Sequence, residues 1–201
     1  IIPNAIDLEK FAFNPDKRKL IRQKLGLDGK FVLGHIGRFV YQKNHSFLID
    51  VFAEVVRVKP EARLLLIGDG ELRKTIEEKV VNLGLQDKVL FLGNRDDVAD
   101  LYNAMDIFLL PSHYEGLPVV GVEAQANGLK CVMSDQVTEE CKMLNSIAFL
   151  PLDIQITLWV EEIIYGGSIR EDNAVKIIAK LGYGIQEAAS VLGADYYLAV
   201  N

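Results

Sequence analysis

Glu115 and Glu123 lie eight positions apart in the segment Glu115-Gly-Leu-Pro-Val-Val-Gly-Val-Glu123, directly after the apolar run Ile107 to Leu110. Pro118 suits the first position of a helix, because its fixed φ fits there and its missing N–H has no bond to lose. Glu115 then sits in a loop just ahead of the helix. Val119, Val122, Glu123 and Ala126 recur at helical spacing, which sets Glu123 one turn beyond Val119 and lets both carboxylates border one crevice. The amides of Gly116, Leu117 and Val119 would have no intrahelical partner and would carry the positive end of the helix dipole, an arrangement that favours a phosphate. Gly116 lets a ligand come close to the backbone. The plainer alternative is a surface loop and helix bearing two solvated acids.

A second cluster lies upstream in Gly34-His-Ile-Gly37-Arg38-Phe-Val-Tyr-Gln-Lys43-Asn44, where a glycine-punctuated strand end runs into a loop with two cations. Arg38 offers a planar fork for phosphate oxygens and Lys43 a mobile point charge. Together they can neutralise a diphosphate without a metal. Either one alone is an ordinary surface cation.

The elements that must position these groups alternate strictly. Apolar runs at Phe31–Ile36, Arg63–Ile67, Val89–Leu92, Ile107–Leu110, Lys130–Met133 and Ile147–Leu150 read as strands. Between them the patterns predict helices over Lys17–Leu27, Phe47–Lys59 with Ser46 as N-cap, Glu71–Leu83, Asp97–Ala104, and Pro118 to Gly128. Such alternation implies an α/β, Rossmann-like parallel sheet of about six strands with helices on both faces. Ligands of these sheets bind beyond the carboxyl ends of the strands, where both clusters fall. Past Pro151 the pattern turns helical, with Trp159, Val160, Ile163 and Ile164 on one face, and further helices expected over Ile169–Leu181 and Ile185–Val200. Residues 151–201 are thus expected to form a helical extension packed on the same domain, which spans 1–201.

With order and spacing taken together, the chain resembles the C-terminal, donor-binding domain of a GT-B glycosyltransferase of family 4, a retaining family that uses nucleotide-activated sugars. Four segments carry the resemblance: Ile2-Pro-Asn-Ala-Ile-Asp7, Gly37-Arg38 with Lys43-Asn44, Leu66-Ile-Gly-Asp-Gly70, and Pro111-Ser-His-Tyr-Glu-Gly-Leu-Pro118 through Glu123-Ala124. Ala5 departs from the family's usual glycine in the interdomain crossing. The resemblance implies that Glu123 holds the ribose hydroxyls and that Glu115 sits near the transferred sugar. Arg38 and Lys43, with Gly37, would meet the diphosphate, Gly116, Leu117 and Val119 would line the donor site, and Arg95 would line the base pocket. The partners implied are a nucleotide-sugar donor here and a sugar or lipid-linked saccharide acceptor met through an N-terminal domain absent from this chain, and any membrane contact would be made only through that same domain. Synthesis of bacterial surface polysaccharide is the context such proteins usually have. Two alternatives are a nucleotide-sugar epimerase of the same fold and a non-catalytic nucleotide-binding module.

Composition narrows the classes further. A net charge of -6 and a pI near 5.1 argue against nucleic acid as the main partner. No apolar run reaches the about eighteen residues needed to span a bilayer. Cys131 and Cys141 form no CxxC motif and read as buried thiols, in keeping with a reducing cytoplasm. His35, His45 and His113 make no metal spacing and no triad, so structural or solvent-facing roles are expected. Of the three, His113 adjoins Glu115. No Asp-x-Asp pair is present to hold a metal–sugar diphosphate, so no cofactor and no metal are expected. Gly68-Asp-Gly70 lacks the third glycine of a dinucleotide fingerprint, which argues against a dehydrogenase.

Overall fold

The computed structural model describes residues 5–167 and 170–185. Residues 2–4 of the expected crossing segment, and all but the first residue of the helix expected over Ile185–Val200, lie outside the described residues. The chain opens with two helices, α1 (Leu8–Phe11) and α2 (Pro15–Leu25). The latter starts two residues earlier than its periodicity suggests. Asn14 caps it, accepting from Asp16 and Lys17 N–H at 3.0 Å each, and Pro15 occupies its first turn, where no amide partner is lost.

Six strands follow in alternation with helices: β1 (Phe31–Ile36), α3 (His45–Val58), β2 (Ala62–Ile67), α4 (Arg73–Asn82), β3 (Val89–Gly93), α5 (Val98–Ala104), β4 (Ile107–Leu110), α6 (Val119–Ala126), β5 (Lys130–Ser134), β6 (Ile147–Leu150), α7 (Ile156–Tyr165) and α8 (Ala174–Lys180). All pairings are parallel, in the order β3-β2-β1-β4-β5-β6, so the sheet is Rossmann-like. The strand order reverses between β1 and β4, and the loops that follow these two strands carry both candidate clusters. A crevice at the carboxyl edge is expected at such a switch point.

Alternate strand residues feed two cores, one on each face. Leu64, Leu66, Ile107 and Leu109 pack with α3, α4 and α7, while Leu65, Ile67, Phe108 and Leu110 pack with α1, α2, α5, α6 and α8. Because both faces are covered, the strands read as continuous apolar runs without alternation. Cys131 and Cys141 are buried free thiols of the second core, as expected, and burial pushes the Cys141 thiol up to about 12.

Several boundaries differ from the expectation for local reasons. Asn44, not Ser46, caps α3. It is held in the left-handed region at φ 53°, its side chain accepts from Phe47 N–H at 3.4 Å, and the helix begins at His45. Asparagine tolerates that conformation because its short amide bonds locally. Helix α4 begins at Arg73 and not Glu71, because Gly68 and Gly70 keep the preceding backbone in an open turn that Asp69 closes by accepting from Gly70 N–H at 2.7 Å. Pro118 is the N-cap of α6, one position outside the helix. Helix α8 is shorter than the expected Ile169–Leu181, because Glu171 N–H bonds to Gly128 O at 3.0 Å and ties that stretch to the turn after α6.

Candidate functional site

At the carboxyl edge, the loop after β1 is built against the loop after β2 backbone to backbone. Gly37 N–H donates to Ile67 O at 3.0 Å, Phe39 N–H to Asp69 O at 3.0 Å, and Leu72 N–H to Phe39 O at 3.0 Å. Such close approach needs glycine on the β2 side. A Cβ on Gly68 would lie 2.2 Å from Gly37 O, and one on Gly70 would lie 2.6 Å from Phe39 O. The result is a stiff platform from which Arg38 stands exposed, with no ion pair or side-chain hydrogen bond among the described residues. Arg38, Gly68, Asp69, Gly70 and Asn94 line an open cleft of about 570 Å³ at the ends of β1, β2 and β3.

Glu115 is where the loops after β1, β4 and β5 meet. Its carboxylate is ion-paired with Lys43 Nζ and accepts from Ser112 Oγ at 3.0 Å, and its backbone N–H donates to Gln136 O at 3.1 Å. Two more bonds lace the first two loops: His113 N–H to Gln42 O at 2.8 Å and Gln42 Nε2 to Tyr114 O at 3.0 Å. The Lys43 and Glu115 side chains are only 16% and 9% exposed, so the pair is largely shielded from water and its Coulomb attraction is little screened. The stem of Lys43 crosses Gly37, whose missing Cβ would lie 3.2 Å from Lys43 Cγ and Cδ.

The start of α6 is open as expected. Gly116 and Val119 are exposed, and the N–H groups of Gly116, Leu117 and Val119 find no backbone acceptor among the described residues. On the same helix, Glu123 accepts from Tyr102 OH at 2.9 Å; its carboxyl is raised above the ordinary range by desolvation, which the phenol's hydrogen bond and Lys10 partly oppose. Of the two carboxylates expected to border one crevice, Glu115 is held in the loop ahead of α6 by Lys43 and Ser112, and Glu123, on the helix, by Tyr102; no hydrogen bond or ion pair joins the two among the described residues.

Beneath the β1 loop lie His35 and His45, both buried, with ring centroids 4.6 Å apart and edge to face. His35 Nδ1 lies 2.8 Å from Leu109 O, so that nitrogen carries the proton and donates. His35 Nε2 and both nitrogens of His45 have no partner among the described residues. Burial holds His35 down at about 4 and His45 at about 2, so both are neutral near pH 7. His45 stacks on Phe39 at 4.0 Å and His113 on Tyr41 at 4.3 Å.

The structure therefore brings Lys43 and Glu115 together, sets Arg38 on the cleft, and leaves the α6 amides free. Arg95 is turned into a two-point ion pair with Asp97, at 2.7 and 2.6 Å, and the cleft wall next to it is Asn94. The pairing raises the Arg95 guanidinium and lowers the Asp97 carboxyl, chiefly through the hydrogen bonds between them. Sequence reasoning missed Ser112, whose hydroxyl holds Glu115 within the same loop, and Gln42 and Tyr102, each of which bonds across to another element. Tyr102 reads as one more apolar position of α5. Among the described residues no cluster of three or more His, Cys, Asp or Glu could hold a metal, and no helix is long and apolar enough to cross a membrane.

Known proteins share this family and fold. The family model described as glycosyl transferases group 1 matches residues 17–146. EpsF of Bacillus subtilis, named as a glycosyltransferase, is 38% identical over 199 residues, which is 96% of this chain and 51% of EpsF. The UDP-Gal:alpha-D-GlcNAc-diphosphoundecaprenol alpha-1,3-galactosyltransferase of Escherichia coli is 30% identical over 185 residues, 90% of this chain and 47% of that protein. The chain thus spans about half the length of these relatives. Among solved structures, HepE of Anabaena in complex with UDP and glucose superposes with a TM-score of 0.80 at 22% identity, covering 98% of this chain and 56% of that one, a likeness of fold.

Proposed function

The chain belongs to the glycosyl transferases group 1 family and has the architecture of a GT-B C-terminal domain; from that premise we propose that it binds the nucleotide-sugar donor and supports transfer of the sugar to an acceptor hydroxyl with retention of configuration. The observation that carries the proposal is the meeting of three loops at Glu115, which sets the shielded Lys43–Glu115 pair beside the open amides of α6. UDP in the name of one relative and in the structure of the Anabaena protein supports a nucleoside diphosphate as the leaving group.

Each group has a physical task in this proposal. As the glycosidic bond breaks, negative charge grows on the departing diphosphate and positive charge on the sugar. Arg38 and Lys43 are cations that favour the later state over the earlier one, Lys43 held in place by Glu115, and the amides of Gly116, Leu117 and Val119 add donors that need no reorganisation. Glu115, oriented by Lys43 and Ser112, accepts from sugar hydroxyls and faces the developing positive charge. Glu123 takes the ribose diol through its acceptor-only carboxylate. The two cations do the work that a divalent ion does in transferases with an Asp-x-Asp pair, so transfer should need no metal. The undecaprenol-linked acceptor in the name of the Escherichia coli relative supports a lipid-linked saccharide as acceptor, and the capsular polysaccharide biosynthesis in the name of a Staphylococcus aureus relative supports a surface polysaccharide as product.

Sugar transfer by the protein that carries this chain, followed by NMR of the product anomer with and without a chelator, tests the proposal. An axial donor giving an axial product at an undiminished rate under chelation is expected. Inversion, or loss of transfer under chelation, would contradict the mechanism, and donor binding without any transfer would contradict the enzymatic role.

A further inference from the structure

Tyr102 is buried at 0% exposure, yet its hydroxyl reaches the half-buried carboxylate of Glu123 from a different helix. We infer that Tyr102 is a positioning residue, its phenol fixing the Glu123 carboxylate in the orientation that receives the two ribose hydroxyls of the donor nucleotide. This rests on the ribose role proposed above for Glu123.

The geometry makes the phenol a rigid donor. Its ring is met edge-on by Phe11, with centroids 5.9 Å apart and an interplanar angle of 70°, and lies 5.9 Å from Phe108 on β4. Its backbone carbonyl accepts from Arg170 at 3.2 Å, so the main chain is pinned as well. The hydroxyl lies 2.9 Å from Glu123 Oε2 and 3.0 Å from Val120 O, and both of these are acceptors. The phenol therefore supplies its single proton to them and takes none. Burial and the neighbouring Glu123 raise the Tyr102 hydroxyl well above its ordinary range, so it remains a donor across the working pH range.

A carboxylate on a flexible side chain loses rotamer freedom when it grips a diol. One that is already held by Oε2 has lost that freedom beforehand. Pinning Oε2 also leaves Oε1, and the second lone pair of Oε2, to accept from two adjacent hydroxyls. Tyr102 never touches the nucleotide in this scheme. Its effect must pass through Glu123 and must vanish when the ligand has no diol to offer.

That condition sets the experiment. Calorimetric titrations of the protein that carries this chain are made with UDP and 2′,3′-dideoxy-UDP, and in parallel with the GDP and ADP pairs, for the unmutated protein and for Tyr102→Phe. The phenylalanine keeps the ring and its packing. The expected result is that the preference for the ribose diphosphate falls roughly three- to ten-fold, the net worth of about one hydrogen bond, while affinity for the dideoxy form is unchanged. Equal losses for both nucleotides would mark Tyr102 as merely structural and overturn the inference, as would an undiminished preference. If the unmutated protein does not distinguish the two, the ribose role of Glu123 fails first and the inference falls with it. Should Tyr102→Phe not fold, the phenol carbon of 13C-labelled Tyr102 in the unmutated protein is expected to shift with the ribose diphosphate and not with the dideoxy form. Equal shifts for the two would overturn the inference.

Discussion

Arg38 and Lys43 carry the same charge but differ in what they touch, and their removal should read out differently. Arg38 is exposed without a partner among the described residues, so Arg38→Ala should change stability by no more than about 0.5 kcal/mol while weakening transfer roughly 10²–10³-fold. Thermal melts beside rate measurements check both halves. Lys43→Met should cost stability as well, about 1–3 kcal/mol, because it leaves the shielded Glu115 carboxylate without its cation. Adding Glu115→Gln to it should restore the melt without restoring the rate. The buried imidazoles make a pH prediction. Their folded values, about 4 for His35 and about 2 for His45, lie below the ordinary 6.5, so below that pH the unfolded chain binds protons that the folded chain does not. Their stabilising effect is therefore complete above pH 6.5 and is lost as pH falls toward 4, at up to about 1.4 kcal/mol per pH unit for each imidazole. His45→Phe should flatten this limb in melts taken from pH 7 to 4. At this scale Arg38, Lys43, Glu115 and Glu123 could be picked from the sequence as candidates by residue type alone, while the turn of Arg95 onto Asp97 could not. Gln42 and Tyr102 were not legible, because their importance is a partner on another element, and Ser112 was not, because its bond to Glu115 depends on how one loop folds on itself.

Helices and loops set two glycines in contrast. A Cβ on Gly70 would lie 2.6 to 2.9 Å from backbone atoms of Phe39, so Gly70→Ala must push apart the two loops that carry Arg38 and Asp69. Denaturant melts should show a loss of about 2–4 kcal/mol. A Cβ on Gly116 meets nothing within 4 Å, and Gly116 does not have a positive φ, so Gly116→Ala should leave the melt unchanged. If the donor sugar lies against this backbone, the same methyl should lower kcat/KM at least about tenfold, since there the ligand approaches closely. An unchanged kcat/KM would place the sugar elsewhere. Element boundaries were less legible than the elements themselves. Ser46 has the better N-cap chemistry in isolation, but the tight turn over Tyr41–Lys43 delivers Asn44 into a left-handed conformation that asparagine accepts. Pro118 likewise fits either the cap or the first turn, and only its backbone, with ψ 116°, decides.

Across the whole molecule, the parallel sheet was legible because strands covered on both faces must be apolar throughout, as Leu64–Ile67 and Ile107–Leu110 are. The order β3-β2-β1-β4-β5-β6 was not, since it depends on which edge each crossover chooses. That order brings the loops after β1 and β4 side by side, and so Lys43 to Glu115 across 72 positions of sequence. On the proposed function, this carboxyl edge binds a nucleoside diphosphate through Arg38 and Lys43 without a metal. This is tested most directly by calorimetric titration of the protein with UDP, GDP and ADP, with and without magnesium, beside Arg38→Ala. One nucleotide is expected to bind equally well in both conditions, and Arg38→Ala to weaken it at least about tenfold, or about 1.4 kcal/mol. Binding that requires magnesium, or that Arg38→Ala leaves intact, would contradict the proposal.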